Sequence, residues 1–223
     1  MDPKKKVKNR SIDLNNLYET HLSIQLSLNG FSFCVLDKTY NLVQKLVHHP
    51  FKDTAAGPED LLARIQSIFE QEKLLQQRYG SVNVSHVNDL SSLVPKVLFD
   101  ESKLKDYIRY SSKTFDNDYI VWDEIENHDL INVYIPFVNV NNFLLERFGN
   151  FEYKHFSTVL ISNLLSTYRF SEHPHIFIHL DKSRMYVVGI SENKLQLYNS
   201  FPFKTNEDFL YYLLFVAEQL GMD

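Results

Sequence analysis

The chain has 223 residues, 44% hydrophobic and 14% aromatic, with 23% charged and a formal net charge of −5, a composition that makes a packed core and excludes a disordered chain. The acidic balance supplies no broad basic field, so no nucleic-acid partner is expected and RNA association is disfavoured. A single cysteine, Cys34, excludes a disulfide framework and fits a reducing cytosol, and no apolar run nears the roughly 20 residues that cross a bilayer, so no membrane role is expected. Residues 1–11, MDPKKKVKNRS, contain a run that looks like a nuclear-import tag; with no apolar segment behind it, a disordered basic terminus is expected.

From there the alternation of apolar and polar residues predicts strands. Leu22, Ile24, Leu26 and Leu28 share one face of a first strand, and Asn29-Gly30 predicts a tight turn with positive φ. Phe31, Phe33 and Val35 continue a second strand, and Leu42 to Val47 a third. Gly57-Pro58-Glu59-Asp60 reads as a helix start, followed by Leu61, Leu62, Ile65, Ile68 and Phe69 at helical spacing to about Gln77. Val82–Val87 alternates again. Ser91–Phe99 holds Pro95 and reads as an edge strand, and Glu101–Ser111 is helical. Tyr119–Ile125 and Leu130–Ile135 form a hairpin, Asn141–Phe148 a helix stopped by Gly149, and Phe151–Phe156 a brief strand. Ser157 is expected to cap a helix running to Tyr168, and Ser171-Glu172-His173-Pro174 marks a boundary.

The opening pattern then returns. Three strands over Ile176–Leu180, Met185–Ile190 and Lys194–Asn199 lead to Pro202-Phe203-Lys204, which answers Pro50-Phe51-Lys52. At a constant offset of 152, Ile24, Leu28, Val35, Asn41, Gln44, Pro50, Phe51 and Lys52 meet identical residues, about four times the roughly two matches expected by chance, which indicates a duplication. The division expected is a first lobe over 12–172 carrying an inserted hairpin and a second lobe over 173–223. The fold class is a mixed α/β sheet protein.

Two copies of strand-strand-strand-helix resemble the actin-like ATPase fold with its paired ribonuclease-H-like lobes. The segments ETHLSIQLSLNGFSFCVLD, SLVPKVLFD and the ending PF…EDFLYYLLFVAEQLG resemble, more narrowly, the uncharacterised DUF3822 family of Bacteroidetes. The resemblance implies that the second lobe, stopping at Asp223, is incomplete. It also implies where nucleotide chemistry would sit. Active members of the superfamily carry Asp-x-Gly turns in both lobes; here the first turn's aspartate and glycine positions fall on Gln25 and Ser27, ahead of Asn29. In the second lobe they fall on Phe177 and His179. Both carboxylates are therefore absent under this alignment, Phe177 cannot hold magnesium or order water, and Asp37 or Asp181 could serve only as displaced ligands. No closely spaced glycines form a phosphate loop.

Other candidates follow from the residues alone. His173, His175 and His179 lie on one strand face, about 6.6 Å apart in steps, too spread to converge on one zinc, so no metal is expected. Cys34 lacks a nearby His or Asp at motif spacing and reads as a structural thiol. Asp116, Asp118, Asp123, Glu124, Glu126 and Asp129 make an acidic stretch in which Tyr119 and Trp122 could anchor a basic partner. In the last helix, Phe209, Leu213 and Val216 belong to an apolar set that surrounds most of the circumference and calls for cover on more than one side. The expected function is a non-catalytic cytosolic protein-interaction module with an unknown protein partner or self-association, and no cofactor. The alternative is an ATP-binding protein or weak ATPase with displaced ligands in the interlobe cleft, the one case in which ATP and Mg would serve as cofactors.

Overall fold

The computed structural model describes residues 19–110, 114–182 and 184–222. The basic terminus at 1–11 and the segment Ser11–Tyr18 lie outside the described residues. In chain order the elements are β1 (Thr20–Ser27), β2 (Gly30–Asp37), β3 (Leu42–Pro50), α1 (Pro58–Gln71), β4 (Ser81–Val87), β5 (Ser91–Pro95) and α2 (Leu104–Arg109). They continue with β6 (Val121–Ile125), β7 (Leu130–Tyr134), α3 (Val138–Phe148), β8 (Glu152–His155) and α4 (Phe156–Thr167). The chain closes with β9 (His175–Asp181), β10 (Arg184–Ser191), β11 (Lys194–Pro202) and α5 (Asn206–Gln219).

Two compact units result: one takes the chain up to Asn88 with Ile135–Phe156, the other Asp89–Tyr134 with Ser157 onward. This division differs from the lobes expected at 12–172 and 173–223. The reason is packing: Ile161 and Leu165 of α4 share a core with Val188 and Ile190 of β10, and Ile125 of the β6–β7 hairpin joins the same core. Hairpin and helix therefore belong with the repeat.

In the first unit a five-stranded sheet runs in the order β3-β2-β1-β4-β8. β1 is antiparallel to β2, and β2 to β3, while β4 lies parallel to β1 and β8 parallel to β4. The alternation seen in the sequence sets which face is buried. Leu22, Ile24 and Leu26 enter a core shared with Leu61 and Ile65 of α1 and Leu144 of α3, each such side chain contributing roughly 1.5–3 kcal/mol by leaving water. The register partners Ser32, Gln25, Ser85 and Lys154 place polar groups on the opposite face. α1 starts on Pro58 as its composition predicts, and α3 stops at Gly149, whose φ of 73° only glycine adopts easily.

The second unit holds two three-stranded sheets, β11-β10-β9 and β5-β7-β6, with β5 an edge strand as Pro95 requires. β10 is buried on both faces. Met185 and Val187 pack with Val216 of α5, while Val188 and Ile190 pack with α4. α4 begins at Phe156, so Ser157 sits in its first turn and is not its cap.

The two hairpin sets correspond in their strand pairing. Ser27 pairs with Gly30 across the β1–β2 turn, and Asp181 with Arg184 across the β9–β10 turn. The β2–β3 ladder slips at Val35/Leu36, and the β10–β11 ladder at Gly189/Ile190. These landmarks relate β1–β2 to β9–β10 at an offset of 154 (184 − 30) and β3 to β11 at 152 (202 − 50). The change comes from the second turn: Asp37 pairs with Leu42, whereas Ser191 pairs with Lys194, a loop two residues shorter. The constant offset read from the sequence is thus correct from Asn41 onward and wrong before it. Ile24 answers Ile178, not Ile176, and Leu26 answers Leu180. Asn41 and Asn193, matched by both readings, take φ of 47° and 57°.

The first turn also corrects an expectation. Neither Asn29 nor Gly30 takes positive φ. Gly30 is a strand residue, and a Cβ there would lie 3.0 Å from the His49 carbonyl oxygen. Close approach of β3, not turn geometry, selects glycine.

Candidate functional site

The positions singled out by the resemblance lie at and before the two equivalent hairpin tips. In the first unit the tip is closed by its own polar groups. Ser27 Oγ accepts the Asn29 N–H at 3.1 Å and donates to the Gly30 carbonyl at 3.3 Å. Asn29 Oδ1 accepts from the Thr54 hydroxyl at 2.8 Å, and its carbonyl accepts the Phe51 N–H at 2.9 Å. Gln25 is exposed on the polar face, opposite Ser32 and Ser85.

The corrected register moves the second tip. His179 is the counterpart of Gln25 and Asp181 of Ser27, while Phe177 answers Ser23. The Phe177 ring packs 4.6 Å from Tyr168 and 5.6 Å from His175. The His179 ring lies 6.0 Å from Tyr186, and burial holds it below the ordinary histidine range against the upward pull of Asp181. Asp181 accepts the Lys182 N–H at 2.7 Å.

Beside this tip lies a group that sequence reading missed. Arg184 Nη2 contacts Asp89 Oδ2 at 2.7 Å, and Arg184 Nη1 donates to Ser200 Oγ at 3.3 Å. The Ser200 hydroxyl lies 3.5 Å from Asp89 Oδ1. Burial pushes the Asp89 carboxyl up and the nearby Asp181 adds to that, while Arg184 and Ser200 draw it back. Burial also raises the phenols of Tyr186 and Tyr198. The arrangement couples the Asp89 carboxylate to the Arg184 guanidinium, with Asp181 paired to Arg184 in the strand ladder. Asp89 stands 95 residues before Arg184, a separation at which no local pattern signals contact. Among the described residues no three His, Cys, Asp or Glu side chains are grouped to hold a metal ion.

The residues expected at an interaction surface separate into two sets. Asp123 is buried and accepts from the Tyr134 hydroxyl at 3.1 Å and the Thr158 hydroxyl at 2.8 Å. Asn132 donates to Ser157 and Thr158, both at 2.9 Å, so the hairpin's polar interior is tied to the first turn of α4. Val216 is fully buried and Phe209 packs in the same core. Asp123 and Val216 are thus structural, because each points inward on an element whose other face meets solvent. Leu213 is half-buried, Tyr119, Trp122 and Glu126 are exposed, and Glu124 pairs with Lys96. Trp122 leans on Phe99 at 5.2 Å. Cys34 is half-buried, its thiol pushed up by burial.

A family model described as a protein of unknown function (DUF3822) matches residues 9–223. A Bacteroides thetaiotaomicron protein of actin-like ATPase fold and unknown function superimposes with a TM-score of 0.85 at 24% identity, over 96% of this chain and 82% of that one. A chain of the PilM–PilN type IV pilus biogenesis complex follows with a TM-score of 0.51 at 11% identity, over 91% of this chain and 66% of that one. Comparison with curated proteins returned no significant match. The chain therefore has an actin-like ATPase fold. No helix among the described residues is long and apolar enough to cross a membrane.

Proposed function

We propose that this chain, which belongs to the DUF3822 family, is a non-catalytic protein-interaction module built on the actin-like ATPase fold. One observation carries the reading. The paired hairpin positions that would position metal and water hold Gln25 in one unit and His179 in the other. Neither side chain supplies the negative charge that magnesium requires. The first tip's turn is also occupied by Ser27 and Asn29, whose side chains bond within the hairpin and to Thr54. Exposed large apolar residues, among them Leu214 and Tyr119, support a binding role. That a chain of like fold occurs in a PilM–PilN complex makes the idea reasonable by analogy of fold alone. The proposal includes a reducing bacterial cytosol, supported by the lone thiol Cys34.

Arg184, the ladder partner of Asp181, is paired with Asp89, and this clustering favours one alternative, an ATP-binding protein using displaced ligands. Calorimetry with ATP and magnesium tests both. We expect no binding heat and no phosphate release. Micromolar binding that weakens on Asp181→Ala would overturn the proposal.

A further inference from the structure

The duplicated helices provide an internal control for surface chemistry. α1 and α5 each span 14 residues at an offset of 148, with Glu59-Asp60 aligned on Glu207-Asp208. On α1, between the exposed Glu59 and Glu70, the positions turned to solvent are Ala63, Gln66 and Ser67. Their counterparts on α5 are Tyr211, Leu214 and Phe215, which are 65%, 60% and 42% exposed. Leu210 is also exposed, but its counterpart Leu62 packs against the core that α3 completes. Leu210 thus occupies a position that the first unit partly buries, and it is set aside. The other three do not share that explanation, because Ala63, Gln66 and Ser67 remain exposed with α3 in place. Completing the sheet around α5 in the manner of the first unit leaves the Tyr211–Leu214–Phe215 face open.

Charge says what would cover it. Glu207, Tyr211, Leu214 and Glu218 follow one another at steps of four, three and four residues, so they share a helix face. Both glutamates are exposed, about 16 Å apart along the axis. α5 contains no lysine or arginine. A second copy laid antiparallel would set Glu207 against Glu218, and a parallel copy would set each glutamate against itself; like charges so placed repel. We propose that this face docks an amphipathic helix whose apolar anchors are flanked by basic residues. The inference rests on the interaction-module reading and names its surface and partner chemistry.

The test uses fluorescence anisotropy with a labelled 14-residue helical peptide carrying leucines at i, i+3, i+4 and i+7 and lysine flanks, beside a twin with glutamate flanks. The lysine peptide should bind, and the glutamate twin at least tenfold more weakly. Tyr211→Ala, Leu214→Gln and Phe215→Ser together install the outer face of α1, and should weaken binding at least tenfold with an unchanged circular dichroism spectrum. Glu207→Gln with Glu218→Gln should weaken it about three- to tenfold and flatten its salt dependence. No binding, or equal binding by both peptides, overturns the proposal. Equal binding by wild type and the triple variant moves the site elsewhere, overturning this inference while the module reading stands. A concentration-dependent dimer abolished by the triple variant overturns it in favour of a second copy. Magnesium-ATP calorimetry on the same sample reports separately on the module reading.

Discussion

Helices α1 and α5 follow equivalent Pro-Phe-Lys turns and have equal length, yet they are built differently. α1 buries Leu61, Ile65 and Phe69 on one face and carries an Arg64–Asp60 ion pair at 2.8 Å on its surface. α5 buries Val216 alone and shows apolar side chains to solvent. Their starts differ in the opposite sense. α5 has a capping box, with Thr205 Oγ1 accepting the Asp208 N–H at 3.1 Å and Asp208 accepting the Thr205 N–H at 3.1 Å. α1 begins at Gly57 with no side-chain cap. A helix held by deep burial needs little local help, whereas one with a thin buried face depends on its own end.

The largest break in the comparison comes from acid. The first unit holds His86 and His155, register partners on β4 and β8 and both fully buried. His86 donates from Nε2 to Asn141 Oδ1 at 3.0 Å and accepts the Phe137 N–H at Nδ1, 3.2 Å away, so it is neutral. Burial lowers His86 to about 4 and His155 to about 3. Because the unfolded chain takes up these protons first, their stabilising effect is complete above pH 6.5 and is lost as pH falls towards the folded values. Each histidine then costs about 1.4 kcal/mol per pH unit, together about 3 kcal/mol by pH 5.5. Hydrogen exchange should show β4 and β8 losing protection first, before β10; simultaneous loss would contradict the localisation.

Truncation comes next. Ile65→Ala, in a fully buried site, should cost about 3 kcal/mol in urea denaturation. The counterpart Leu213→Ala, half-buried, should cost about half as much. Equal losses would remove the contrast between the helices. Thr205→Ala should cost about 1 kcal/mol, seen as a lower denaturation midpoint. The smallest effect sharpens the comparison from the other side. Gly57 has extended backbone that other residues adopt, and a Cβ there comes no closer than 3.8 Å to another atom. Gly57→Ser should therefore gain a few tenths of a kcal/mol by capping α1.

Much of this was legible in the residues. Period-two runs such as Leu22–Leu26 and Ile176–Leu180 marked strands, Pro58 and Gly149 marked helix ends, and repeated Pro-Phe-Lys marked the duplication. The site was less legible. The aspartate position of the second lobe read as Phe177 because one offset was carried through a turn that is two residues shorter in the repeat; ladder register places it at His179. Asp123 belongs to an acidic run and Val216 to an apolar set that surrounds its helix, and neither pattern tells that these two side chains point inward.

The sequence by itself determined the order and kind of the elements, since each depends on residues within a turn or two of one another, and it showed the repeat, since the same local pattern occurs twice. Tertiary structure alone decided the pairing of Asp89 with Arg184, the neutral state of His86, the joining of α4 to the repeat, and which apolar residues of α5 stay uncovered. Those outcomes depend on which distant surfaces meet, and the free energy of burial, not any local pattern, selects them.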